Sequence, residues 1–205
     1  MREQPWHTRF AQTEHSIRHQ RLSALHRLTV QLAAAVGLPA PQPLPALADC
    51  LDDTSPDDSL GRLEAELKRH QAELVHTVQS DERLGNDRQM RLESAAQDAG
   101  REFAASHRSL PRLAEQGDCR ILADHLRPYC RFLIRRSTLH ELQMERLDCA
   151  HCHPALALEA RHDWSCAVQA AWLAGYAQTW DPRVHIRTLP GPPGQPCAIS
   201  FTLPA

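Results

Sequence analysis

The chain has 205 residues, 42% of them hydrophobic and 23% charged, and a formal net charge of -2. That is enough apolar material for one substantial core. The near-neutral balance supplies no global field for nucleic acid or an anionic membrane. The N-terminal residues are polar and charged where a signal peptide needs an apolar stretch, and the first apolar run, Leu28 to Leu38, is too short to span a bilayer. A cytoplasmic protein is therefore expected. Its seven cysteines read as thiols or metal ligands rather than a disulfide framework.

In chain order, Thr13 to Val36 predicts a helix through Ile17, Leu22, Leu25, Leu28 and Leu32. Gly37 and Pro39 stop it, and PAPQPLP (Pro39 to Pro45) predicts an extended spacer. Cys50 to Ser59 is acidic and turn-rich, a solvated loop supplying a helix cap. Leu60 to Ser80 predicts a second long helix, Gly85-Asn86 a turn, and Arg88 to His107 a third helix. One or two short helices are expected over Leu113 to Leu126. The pattern then shifts to short alternating runs. Tyr129 to Ile134 and Leu142 to Leu147 read as paired strands, and Trp164 to Trp180 as a helix. Val184 to Leu189 and Ala198 to Leu203 read as a hairpin closed by GPPGQP. The expected class is α+β, a helical N-terminal half followed by a small antiparallel sheet packed with helices. The division expected is 1–58, an N-terminal helix with a Pro/Asp-rich linker, and 59–205, the α+β domain.

The chemistry-bearing residues cluster late. Cys149-Ala150-His151-Cys152-His153 is a CxxCH sequence, and with His162 and Cys166 it becomes C-x2-C-x9-H-x3-C. Covalent haem on Cys149 and Cys152 requires export, for which no signal is visible. Zinc fits the compartment better: thiolates and imidazole suit it, a CxxC turn presents two sulfurs, and His162 and Cys166 stand one helical turn apart. Cys149, Cys152, His162 and Cys166 are the expected metal ligands, with His153 or Cys197 as alternates. The bland reading makes these cysteines small buried hydrophobes. A CxxC redox pair is the other option for Cys149 and Cys152.

Arg131, Arg135 and Arg136 form a cationic group able to hold an anion or a partner's acidic face, or else a solvated strand face. Trp172 and Tyr176 read as core residues or as the aromatic wall of an apolar ligand pocket. His140, Glu141 and Glu145 are close enough in sequence for acid–base work, although thirteen histidines make a chance neighbour the default. No phosphate-binding glycine loop, nucleophile elbow or HExxH is present.

Ala99-Gly100-Arg101, Cys166 within SCAVQAAWLAGYAQ, Val184 to Thr188, and Gly194-Gln195-Pro196-Cys197 leading to Phe201 follow one another in a familiar order. From about Ala95 onward this order resembles the 4-vinyl-reductase-type ligand-binding domain. The resemblance implies a small apolar ligand, such as an aromatic or a tetrapyrrole precursor, and metal ligation by Cys166 and Cys197. The chain departs from that pattern at Arg187, where the family tends to carry Glu, and at Pro190, where it tends to carry Cys. CAHCH is no part of it.

Three functions follow. The first is a non-catalytic binding module, metal-stapled, that takes a small apolar ligand or a partner protein or peptide. The second is a peptide-binding partner subunit of a heterodimeric peptide-modifying metalloenzyme, such as those building methanobactin-type peptides. Its support is an exposed C-terminal hairpin suited to strand addition. The third is a thiol- or metal-dependent enzyme.

Overall fold

In the computed structural model the described residues are 6–51, 55–79, 85–106, 119–126, 132–146, 162–189 and 197–204. They form α1 (Trp6–Val36), α2 (Leu47–Leu51), α3 (Pro56–Gln79), α4 (Gly85–Ala105), α5 (Cys119–Leu126), β1 (Phe132–Ser137), β2 (Glu141–Arg146), α6 (His162–Trp180), β3 (His185–Leu189) and β4 (Ala198–Thr202). The architecture is α+β, as the sequence pattern indicated. Helix α4 begins at Gly85, so Gly85-Asn86 opens a helix instead of forming the expected separate turn. The acidic Cys50–Ser59 segment holds the end of α2 and the start of α3.

Local chemistry sets the helix ends. At the end of α1, Gly37 takes φ +71°, and the Leu38 amide donates back to the Ala33 carbonyl at 2.9 Å. This is the Schellman closure that glycine permits without a Cβ penalty. Ser55, Pro56, Asp57 and Asp58 then open α3 as cap, first-turn proline and two first-turn acids. The Ser55 hydroxyl donates to Asp58 at 2.7 Å, and the two acids sit at the positive end of the helix dipole.

One large core joins α1, α4, α5, α6 and the sheet. Leu28, Leu32 and Ala33 of α1 share it with Leu92, Ala96 and Phe103 of α4, Val168, Trp172 and Tyr176 of α6, and Phe201 of β4. Helices α4 and α6 approach most closely. Gly100 lies against the Trp172 and Tyr176 backbone and Gly175 against that of Gln97 and Arg101, and the Gln97 side-chain amide donates to Gln178 across the seam at 2.9 Å. A smaller cluster, Leu22, Cys50, Leu60 and Leu67, fastens α2 and α3 onto α1.

The sheet has strand order β1-β2-β4-β3, every neighbour antiparallel. Both expected pairs form, and β2 joins β4 to make them one sheet. Leu142, Met144, Ile199 and Phe201 lie on one face and are buried.

Where α6 meets β3, Asp181 ends the helix and turns the chain. Its carboxylate is almost wholly buried and accepts from the Arg183 backbone amide at 2.9 Å, from Nε at 3.1 Å and from Nη2 at 2.8 Å. The Arg183 side-chain hydrogen bonds hold the Asp181 carboxyl below its ordinary 3.8, against the opposing effect of burial. Because the folded value is depressed, the stabilisation is complete above 3.8 and is lost as pH falls through the lower folded value. Asp181→Asn is expected to cost about 1–2 kcal/mol at pH 7, a few degrees in Tm. Thermal melts of the two proteins should converge as pH drops below the ordinary carboxylate range.

Candidate functional site: the open sheet face and the β1 edge

Residues directly opposite in an antiparallel ladder share a face, so the register settles which side chains point away from the helices. One outward row is Leu133, Glu145, Ala198 and Leu189; the next is Arg136, Gln143, Ser200 and Arg187. Glu141, Thr202 and His185 form a third. None of these eleven residues is buried. Among the described residues the sheet is packed against helices on one side, while its outward side chains are half-buried on β2 and exposed at both edges, as antiparallel sheets can be.

The first strand is exposed more fully than the rest. From Leu133 through His140 every residue is exposed. The pairing slips between Ile134 and Arg136, leaving Arg135 as the extra residue of a bulge. A bulge bends and twists an edge strand and re-aims its side chains. The hairpin tip is fixed by Thr138, whose amide donates to the Glu141 carbonyl at 2.7 Å while its hydroxyl accepts from the Glu141 amide at 2.9 Å. The tip is also tied inward: the Cys119 amide donates to the Leu139 carbonyl, and the Leu203 amide to the His140 carbonyl, each at 2.9 Å.

Apolar exposure concentrates here. Among the described residues the exposed large hydrophobics are Leu133 (48%), Ile134 (40%), Leu139 (48%), Leu189 (38%) and Met90 (61%), and only Met90 lies away from the sheet. The charges around them cancel locally. Arg135 pairs with Glu145, and Arg136 with Glu141 at 3.1 Å. Of the cationic group, Arg135 and Arg136 thus stand on the exposed strand with their charge answered by β2, and Arg131 lies outside the described residues. Glu141 and Glu145, considered for acid–base work beside His140, hold these arginines instead.

Comparison of the chain with protein-family models, curated proteins and solved structures returned no match. The likeness to 4-vinyl-reductase-type domains accordingly stands on its sequence motifs alone.

The remaining expected site residues fall in three places. Cys149, Cys152 and His153 lie outside the described residues. His162 and Cys166 are on the first two turns of α6, one turn apart. Cys197 is buried just ahead of β4. Among the described residues no three His, Cys, Asp or Glu side chains group as a metal site. Trp172 and Tyr176 are in the main core, 7% and 0% exposed, stacked at 5.6 Å between ring centroids and flanked by Phe103. An open cleft beside the start of α3 is lined by Arg18, Asp57, Asp58 and Arg62, and Asp57 there accepts from His15 and Arg18. No described helix is long and apolar enough to cross a membrane.

Sequence reasoning missed Leu133, Leu139 and Leu189 as functional candidates. The available signal was apolar residues at the solvent-facing positions of an alternating strand, and using it requires knowing which side the helices cover.

Proposed function

We propose that the chain is a non-catalytic binding subunit that docks a partner protein or peptide on the open sheet face and the β1 edge. The observation that carries this reading is the confinement, among the described residues, of exposed large apolar side chains, Met90 apart, to that sheet and its hairpin tip. Exposed apolar side chains among polar groups mark interaction sites. The paired arginines and glutamates stand among them. An edge strand without a neighbour among the described residues also offers backbone amides and carbonyls for strand addition. The burial of Trp172 and Tyr176 favours this surface over a small apolar ligand. A subunit of a peptide-modifying complex is the specific form of the same reading, with the peptide on the β1 edge.

A zinc staple from Cys149, Cys152, His162 and Cys166 belongs to this proposal as a structural element. Four protein ligands would close the coordination shell and leave no position for a reactive water.

Site-specific photo-crosslinking tests the surface. A photoreactive residue at position 133 or 189, in cells producing the full chain, should give one discrete adduct, and the same residue at position 90 should give none. Absence of an adduct from both sheet positions, or equal labelling from position 90, would refute the docking surface.

A further inference from the structure

The segment Leu38-Pro39-Ala40-Pro41-Gln42-Pro43-Leu44-Pro45 alternates X and Pro without a break. Each proline fixes its own φ near -65° and drives the residue before it out of the helical region. All eight residues are thus directed to the polyproline II conformation, which has three residues per turn and no internal hydrogen bonds. Burial follows the same period: Leu38, Pro41 and Leu44 are half-buried, and the two residues after each are exposed. Leu38 packs on the main core and Leu44 on the small α1–α3 cluster.

Three imidazoles read the backbone of this strap. His70 of α3 contacts the Pro39 carbonyl at 3.3 Å, and His26 and His19 of α1 contact the Gln42 and Pro45 carbonyls at 2.9 and 2.8 Å. A carbonyl only accepts, so each histidine donates through Nε2–H. The three carbonyls are spaced by three residues, hence on one side of a polyproline helix. Pro45 and Gln42 are separated by about 9 Å at polyproline rise. His19 and His26 are about 10.5 Å apart along α1, so two helical turns match one polyproline turn. The strap runs antiparallel to α1.

We infer that the α1–α3 groove is a polyproline-reading site, held shut by the chain's own strap, whose partner is an X-Pro repeat of another protein. Recognition rests on three carbonyls of one polyproline face and on an apolar side chain at the position of Leu44. Ala40 and Gln42 are exposed and leave those X positions tolerant of sequence, while Leu38 packs on the main core. The strap holds the groove at the millimolar effective concentration of a short tether. An incoming segment therefore binds only when the strap is lifted. The fit of a proline-rich segment to this groove is already realised in cis. Such segments bind with little ordering cost because their conformation is set beforehand.

The test replaces residues 39–45 of the full chain with a Gly/Ser stretch of equal length and titrates a fluorescent LPAPQPLP peptide by anisotropy. The replaced chain should bind saturably, the unaltered chain at least ~10-fold more weakly. Adding His19→Ala and His26→Ala to the replaced chain should abolish binding. Pro41→Gly with Leu44→Gly, which removes two groove-facing side chains and leaves the rest of the strap, is a milder opening and should also admit the peptide. If either opened chain keeps its helical circular dichroism yet ignores the peptide, the proposal is wrong. Equal binding of a proline-free control peptide would overturn it as well. So would a heterodimer between replaced and unaltered chains by light scattering, because the occupant would then be a second copy's strap.

Discussion

Gly100→Ala and Gly175→Ala are each expected to destabilise the protein by about 3 kcal/mol or more, a large share of the ~5–15 kcal/mol that a domain has available. A Cβ at position 100 would stand 2.1 Å from the Trp172 carbonyl oxygen, and one at position 175 would stand 1.9 Å from the Gln97 carbonyl oxygen. Both obstacles are backbone in the middle of a helix, so neither can swing aside. The whole of α4 must move off α6, and the buried side chains around the seam lose contact together. Helix propensity acts in the other direction, favouring alanine by at most ~1 kcal/mol, and is overwhelmed. Gly61→Ala supplies the control. Its Cβ would meet only the terminal Nη2 of Arg18, at 3.3 Å, so that substitution should be neutral or mildly stabilising. Urea unfolding of the three variants measures the ordering. Equal midpoints for all three would mean that the helices do not cross at this distance.

This seam shows what the sequence could and could not convey. The helical period identified α1, α3, α4 and α6, because their apolar residues recur on one side whatever they pack against. Gly100 and Gly175 carry no such signal. Within a single helix a glycine reads as a weak point, and its purpose emerges only when the opposing helix is placed. The strands were legible for the same local reason as the helices, and the order β1-β2-β4-β3 was not, since it joins β2 to β4 across more than fifty residues. The strap was legible as extended backbone, yet nothing in the spacing of His19, His26 and His70 announced that they would grip it. Arg135 and Arg136 read as an anion-binding group or a solvated strand face, and Glu145 and Glu141 of β2 pair with them. The cysteine–histidine motif is the most conspicuous local signal, and its three first members lie outside the described residues.

Tyr176→Ala is expected to cost about 3–5 kcal/mol in the chain with no ligand added. Tyr176 is fully buried, stacked on Trp172 and 6.3 Å from Phe103 between ring centroids. It sits where α4 and α6 converge, so the cavity left by its ring would be walled by two helices whose backbones already touch beside it, at Gly100 and Gly175. Such a cavity collapses poorly, which places the cost at the upper end. Phe103→Ala should then be strongly coupled to it. In a double-mutant cycle the pair should fall short of additivity by ~0.5–1.5 kcal/mol, the range of an aromatic contact beyond its burial. These values also separate two roles for the same ring. A residue lining an empty ligand pocket faces space on one side, and its truncation would leave the unliganded stability within about 0.5 kcal/mol. Denaturant titration of Tyr176→Ala decides between them. A large loss makes the aromatic cluster part of what holds α6 against α4, and it leaves the exposed sheet and the strap groove as the proposed recognition surfaces.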